Sequence, residues 1–180
     1  MKVNIETQRL LIRPFETRDW KEVHTYTQDA HVMTFVEEGQ LTETQTKEWV
    51  EKNSGDEAQA FAVLLKAENS LIGHMIFHPW FAALTYEIGW VFHPKYHQKG
   101  YATEAAQALL RYAFDELHLH RVIATCQPEN PASQRVMEKI GMRREGHFKK
   151  CIHRGGDIWW DEYFYAILDE EWFVLKGNLQ

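Results

Sequence analysis

Hydrophobic positions recur along this chain with two periods, and the switches between them predict its elements. Leu10, Ile12 and Pro14 alternate with polar neighbours and read as a first strand ending at Pro14. Asp19 then stands as the cap of a helix with Trp20, Val23 and Tyr26 on one face. Thr42 opens a second helix, TETQTKEWVEKN, made of good helix formers. DAHVMTFVEEG, between these helices, reads as a short helix and a loop of the kind that flanks substrate pockets. FAVLLK (61–66), the turn AENS and LIGHMIFH (71–78) form a β-hairpin, and TYEIGWVFHP (85–94) is a strand closed by Pro94.

The period then lengthens. From Ala102, the positions Ala105, Ala106, Leu109, Leu110, Ala113 and Leu117 follow helical spacing over four turns. HRVIATCQPENP (120–131) is a strand leading into a turn. Pro131 starts a helix, ASQRVMEKIGM, in which Val136 and Ile140 share a face and Gly141 stands where a left-handed residue ends a helix. GHFKKC (146–151) and DEYFYAIL (161–168) read as two final strands joined by a loop, IHRGGDIWW. The tail EEWFVLKG either closes the core or forms a homodimer contact. No repeat, low-complexity tract or linker interrupts the order, so one α+β domain over 1–180 is expected, with a mostly antiparallel sheet.

Composition narrows the class. With 180 residues, 44% hydrophobic and 26% charged, the chain suits a single soluble domain. No apolar run approaches the roughly 18 residues of a membrane span, and the N-terminus lacks a signal-peptide core, so a cytoplasmic protein with no membrane partner is expected. Cys126 and Cys151 read as reduced thiols. The net charge of -6 argues against a non-specific nucleic-acid binder and suits a cationic substrate. The pairs His118/His120 and His93/His97 have no nearby cluster of Cys, Asp or Glu at ligand spacing, so no metal is expected.

The chemistry concentrates in two stretches. HPKYHQKGYATEA (93–105) sets a turn on the N-terminus of the long helix, where unpaired N–H groups and the helix dipole favour an anion. One glycine is too few for a dinucleotide fingerprint, and no Gly-Lys-Thr follows for a nucleotide P-loop. Gly100 removes a Cβ where an anion would approach, Ala102 keeps the next position small, and Lys95 and Lys99 add charge. The same residues also suit a plain strand-to-helix turn. In QPENPASQRVMEKIGM (127–142), Asn130 at the N-cap and Pro131 at the first helical position make a good helix start by themselves.

Taken in order, TQRLLIRPF, YEIGWVFHPKYHQKGYATEA, NPASQRVMEKIGM and WWDEYFYAIL cover nearly the whole chain. This ordered set resembles the GNAT family of acetyl-CoA-dependent N-acetyltransferases. It is most similar to the Rim-type subgroup, which acetylates N-terminal α-amines of ribosomal proteins. The resemblance implies a three-layer fold with helices flanking the sheet, in which strand 85–92 splays from strand 121–126. Pantetheine would lie in the gap, pairing with the backbone of Trp90, Val91 and Phe92. N–H groups of the turn formed by Gln98, Lys99, Gly100, Tyr101, Ala102 and Thr103 would hold the pyrophosphate. Asn130 would hold the pantetheine, Ser133 would sit near the sulfur, and Arg135 would approach the nucleotide end.

Three positions depart from the family pattern, Gln/Arg-x-x-Gly-x-Gly/Ala with a tyrosine acid further on. Its first position falls on His97, Gln98 replaces a usual glycine, and Met137 stands where many relatives place the tyrosine. The N–H donors survive, so cofactor binding by a slightly altered turn is expected, with Ser133 as candidate acid. The implied reaction is attack of a neutral amine on the thioester. It needs a base, an oxyanion donor (the N–H of Phe92 or a neighbour) and a proton for the thiolate. Glu87 is the candidate base, working through a water, and is equally readable as a surface carboxylate; Asp161 is the alternative, as base or as electrostatic guide. Glu37, Glu38, Glu43 and Asp157 can draw a cation to the site or be solvated loop charges. Trp159 and Trp160 either wall the acceptor pocket or divide between core and rim.

An α-amine with a pKa near 7.8 is roughly one-tenth neutral at pH 7, whereas a lysine near 10.4 is neutral at roughly four parts in ten thousand. An uncertain base therefore handicaps a protein N-terminus less than a lysine. The expected acceptor is a protein N-terminal α-amine. The alternatives are a small-molecule amine (antibiotic, polyamine or metabolite) or a non-catalytic acyl-CoA-binding module.

Overall fold

The computed structural model describes residues 3–177; the ends of the expected 1–180 domain, residues 1–2 and 178–180, lie outside the described residues. The chain forms two compact units: residues 3–78 with Gly89–Leu109, and Pro79–Ile88 with residues 110–177.

In the first unit a short strand that the pattern did not announce, β1 (Ile5–Glu6), precedes β2 (Leu10–Arg13), which stops one residue before Pro14. Leu10 and Ile12 are fully buried while Leu11 and Arg13 are half-buried, the alternation of a one-sided strand. Helix α1 (Trp20–Thr27) follows a 3-10 turn, Thr17–Asp19. Asp19 is not its side-chain cap. Its carboxylate turns back to accept both Arg13 guanidinium nitrogens, at 2.7 and 3.0 Å, and the Glu16 N–H at 2.8 Å. Helix α2 (Glu43–Lys52) starts as expected: Thr42 Oγ1 accepts the Gln45 N–H and Gln45 Oε1 accepts the Thr42 N–H.

Residues 29–39 hold no helix. They form successive turns, with Met33 N–H on the Asp29 carbonyl and Val36 N–H on that of Met33. Val32, Thr34 and Val36 are β-branched and stiff at χ1, and Gly39 (φ 64°) closes the segment.

The hairpin is β3 (Ala60–Leu65) and β4 (Ser70–Pro79), and β1-β2-β3-β4 pair antiparallel in that order. The unit also contains the end of β5 (Thr85–Phe92) and the start of α3 (Tyr101–Arg111). Gly73 of β4 admits this end of β5: a Cβ on it would stand 2.5 Å from the Val91 carbonyl oxygen. Val91 joins Tyr26, Val23, Val50 and Phe15 in the core, where burying each large apolar side chain contributes about 1.5–3 kcal/mol.

In the second unit α3 passes into one π turn, Tyr112–Glu116, with Leu117 N–H on the Tyr112 carbonyl at 3.1 Å, rather than continuing as the regular helix its spacing predicts. Strand β6 (Arg121–Cys126) is parallel to the start of β5 over Thr85–Glu87. Helix α4 (Pro131–Lys139) ends as its sequence implies, with Gly141 at φ 89°. Then come β7 (Arg143–His153), β8 (Trp159–Leu168) and α5 (Asp169–Gly177), in sheet order β5-β6-β8-β7. The expected 152–160 loop shortens to residues 154–158. Gly155 and Gly156 supply positive φ for a tight turn, closed by Arg154 N–H on the Ile158 carbonyl, so both strands run further. The tail closes this unit's core through Trp172, whose ring stacks on Phe114 at 5.9 Å and whose Nε1 donates to Asp115. Pairing is antiparallel in every ladder described here except β5–β6, which makes the chain α+β. Among the described residues, no helix is long and apolar enough to cross a membrane.

Candidate active site

In the first unit, β5 delivers the backbone of Trp90, Val91 and Phe92, with Val91 and Phe92 buried. The chain then makes a 3-10 turn, Pro94–Tyr96, capped by His93 Nδ1, which accepts the Lys95 N–H at 3.1 Å. An accepting Nδ1 must be unprotonated there. Burial, assisted by the charges of Lys95 and His97, lowers the His93 pKa and favours that state. His97 Nε2 donates to the Phe92 carbonyl at 2.8 Å and so ties the strand end to the turn after it.

Gln98 has φ 60° and Gly100 φ 80°. The turn therefore keeps a glycine-like conformation at 98 although a glutamine stands there. A Cβ at Gly100 would meet only Arg9 Nη2, at 3.5 Å, so it is the positive φ rather than crowding by protein atoms that calls for glycine. The first intrahelical bond of α3 is Glu104 N–H to the Gly100 carbonyl, 3.0 Å, which leaves the N–H groups of Tyr101, Ala102 and Thr103 ahead of it. Lys95 and Lys99 hold their ammonium groups over the Tyr96 ring at 5.3 and 5.5 Å. This is a backbone-donor turn at a positive helix end, rimmed by cations.

In the second unit, Asn130 caps α4: its Oδ1 accepts the Ser133 N–H at 3.2 Å. With Oδ1 so engaged, Nδ2 is the end offered to a carbonyl acceptor. Ser133 is half-buried, Arg135 exposed and Met137 fully buried, so the place of the usual tyrosine acid is core. Glu87 is half-buried on β5, opposite Ile123 in the last pair of the β5–β6 ladder, while β6 runs on to Cys126.

Asp161 is pinned. Its carboxylate accepts the Lys150 N–H at 2.9 Å, the Lys149 ammonium at 3.1 Å and His147 Nε2 at 2.8 Å. These bonds, the Lys150 N–H foremost, lower its pKa to about 2. It is an anion at neutral pH and a feeble proton acceptor.

Its neighbour Glu162 is a candidate that the sequence did not single out. Burial raises its carboxyl, against a hydrogen bond from Thr125 that lowers it. Only the strand alternation, Asp161 outward and Glu162 inward, signalled the difference. Cys126 is buried and its thiol is pushed up to about 12 by burial and the charges of Glu162 and Glu138, which makes it inert; Cys151 is exposed, and the two are not bonded.

Of the acidic rim residues, Glu43 is paired with Lys47 at 2.5 Å, while Glu37, Glu38 and Asp157 are exposed. Neither tryptophan of the 159–160 pair is in the core: Trp159 packs on His153, and Trp160 lies half-buried under the Arg154 guanidinium at 4.4 Å. His74 is a core histidine, bonded to the Tyr26 hydroxyl at 2.8 Å and held neutral, with its pKa lowered to about 3 by burial. Among the described residues, no three His, Cys, Asp or Glu side chains gather to hold a metal.

A turn of backbone donors at a helix start, and an asparagine cap following a strand, are features of an acyl-CoA-using fold. The profile of the acetyltransferase (GNAT) domain matches residues 9–143. The chain belongs to the GNAT acetyltransferase family. It is 60% identical over 170 residues to the uncharacterized N-acetyltransferase YnaD of Bacillus subtilis, covering 94% of this chain and 99% of that one. A crystal structure of a GNAT-family acetyltransferase from Bacillus anthracis superposes with a TM-score of 0.89 at 61% identity, over 93% of this chain and 99% of the other. The [ribosomal protein uS5]-alanine N-acetyltransferase of Escherichia coli is 32% identical over 89 residues, 49% of this chain and 43% of its own. The protein is therefore a GNAT-type N-acetyltransferase with the family's fold, and acetyl-CoA is the family's acyl donor.

Proposed function

We propose that the acceptor is a protein N-terminal α-amine. The observation that carries this reading is the state of Asp161. A carboxylate held near 2 cannot strip a proton from a lysine ammonium, and Met137 supplies no acid, so the acid–base equipment is modest. An α-amine, roughly one-tenth neutral at pH 7, needs the least help. The local likeness to a ribosomal-protein alanine acetyltransferase points the same way.

In this reading the 98–103 turn binds the pyrophosphate through N–H groups, and the backbone of Trp90–Phe92 and Asn130 Nδ2 bind the pantetheine. Arg135 meets the nucleotide end. Glu87, through a water, takes the amine proton. Ser133 returns one to the departing thiolate. Glu162 is the second candidate for the base, because burial raises its carboxyl where Asp161 is depressed.

The test is an acceptor screen with acetyl-CoA. Peptides with Ala, Ser or Met N-termini should release free thiol, and the same peptides with a blocked α-amine and an internal lysine should not. Thiol release with polyamines or aminoglycosides but with no peptide would assign a small-molecule acceptor. No thiol release with any of these amines would leave an acyl-CoA-binding module.

A further inference from the structure

We propose that Arg9 is a positioning residue for the pyrophosphate of acetyl-CoA; the inference rests on the reading above that the 98–103 turn holds that group. Arg9 lies on the N-terminal segment, 90 residues from the turn, yet its Nη1 donates to the Lys99 carbonyl at 3.0 Å. In a trans peptide the C=O and the following N–H point in opposite directions. A fixed Lys99 carbonyl therefore fixes the Gly100 N–H, aiming it away from Arg9. That aim needs an external hold, because Gly100 has no Cβ to restrict its own plane.

The guanidinium is itself anchored. Its Nε and Nη2 each stand 2.6 Å from Glu104 Oε2, and it lies over the Tyr101 ring at 4.6 Å. Glu104 Oε1 is filled by the Arg9 N–H at 3.0 Å and the Thr7 hydroxyl at 2.6 Å.

Glu104 also poses a problem for an anion site. It sits in the first turn of α3, where its charge opposes an incoming phosphate. Although burial pushes its carboxyl up, the bonds from Thr7 and Arg9 outweigh this and hold it below the usual carboxylate range. It is ionised, and Arg9 is the cation that cancels it. Arg9 thus does two things at once: it aims an N–H and it removes a competing negative charge.

Steady-state kinetics with acetyl-CoA and with S-acetylpantetheine, which lacks the phosphates, test this. Arg9→Ala should raise KM for acetyl-CoA at least about tenfold, with kcat within about twofold and the amine KM unmoved. Its kcat/KM for S-acetylpantetheine should match the wild type. Arg9→Ala/Glu104→Gln should recover part of the loss, and added guanidinium ion should rescue Arg9→Ala. Arg9→Lys keeps the charge but cannot span both Glu104 and the Lys99 carbonyl. It should show an intermediate KM, and it carries the same test if Arg9→Ala does not fold. An unmoved KM for acetyl-CoA, an equal loss with S-acetylpantetheine, or a fall in kcat at constant KM overturns the role. If the wild-type chain itself binds no coenzyme A, the pyrophosphate reading falls and takes this role with it; intact wild-type binding with an unmoved variant removes the Arg9 role alone.

Discussion

His97 Nε2 holds the carbonyl of Phe92 at 2.8 Å, so the last residue of β5 and the turn five residues later move as one piece. Glutamine and arginine, usual at this place in the family pattern, share with histidine one property: each offers an N–H donor. His97→Gln should keep the KM for acetyl-CoA near the wild-type value. His97→Ala should raise it by about three- to tenfold, the scale of one lost hydrogen bond. Titration of coenzyme A by calorimetry checks both.

Gln98 is a non-glycine residue at φ 60°, a conformation that costs an L-residue roughly 1–2 kcal/mol. Gln98→Gly relieves this and gives back part of it as unfolded-state entropy. The expected net gain is about 0.5–1 kcal/mol in urea denaturation, with coenzyme A affinity unchanged because the N–H remains.

Gly73 leaves no room for a methyl group: a Cβ would stand 2.5 Å from the Val91 oxygen and 2.9 Å from the Phe92 Cα, both backbone. Gly73→Ala should destabilise the protein by about 1–3 kcal/mol and displace the Trp90–Phe92 backbone. A lower melting temperature together with weaker coenzyme A binding would bear this out; a loss confined to stability would show that β5 had not moved.

The pH dependence separates the carboxylates. The folded-state pKa of Asp161 is depressed to about 2, so its contribution to stability is fully present above the unfolded value near 3.9 and is lost as pH falls toward about 2. Asp161→Asn should therefore flatten the acid limb of the stability curve between about pH 4 and 2 and leave the rate profile at pH 6–9 with the same shape. Glu87→Gln should move that rate profile if Glu87 takes the amine proton. If only Glu162→Gln moves it, the base is Glu162.

Signals carried by adjacent residues were legible in the sequence. Asn130 before Pro131 and Gly141 after Ile140 fixed both ends of α4, and Thr42 with the helix formers after it placed the start of α2. What depends on distant residues was not. Asp19 looked like a cap because its reach back to Arg13 requires β2 already in place. IHRGGDIWW read as one long loop, although its two glycines also permit a shorter turn between two strands, and the pairing of Ile152 with Trp160 decides the matter. The clamp from Arg9 to Lys99 and Glu104 joins residues some ninety positions apart, which no local pattern records. The site divides in the same way. Backbone donors could be placed from Gly100 and the helix start, whereas the contrast between Asp161 and Glu162 comes from Lys149, Lys150, His147 and burial.

The contrast between the two cysteines gives the protein a built-in point of attachment. A thiol at about 12 is ionised to about one part in ten thousand at pH 8, and Cys126 is also sealed from reagent. Cys151 stands exposed on β7 of the native wild-type chain. A maleimide dye added to the folded enzyme should therefore mark one position, with no cysteine removed and none introduced. Its fluorescence would report changes around the β7–β8 ribbon, independently of any turnover.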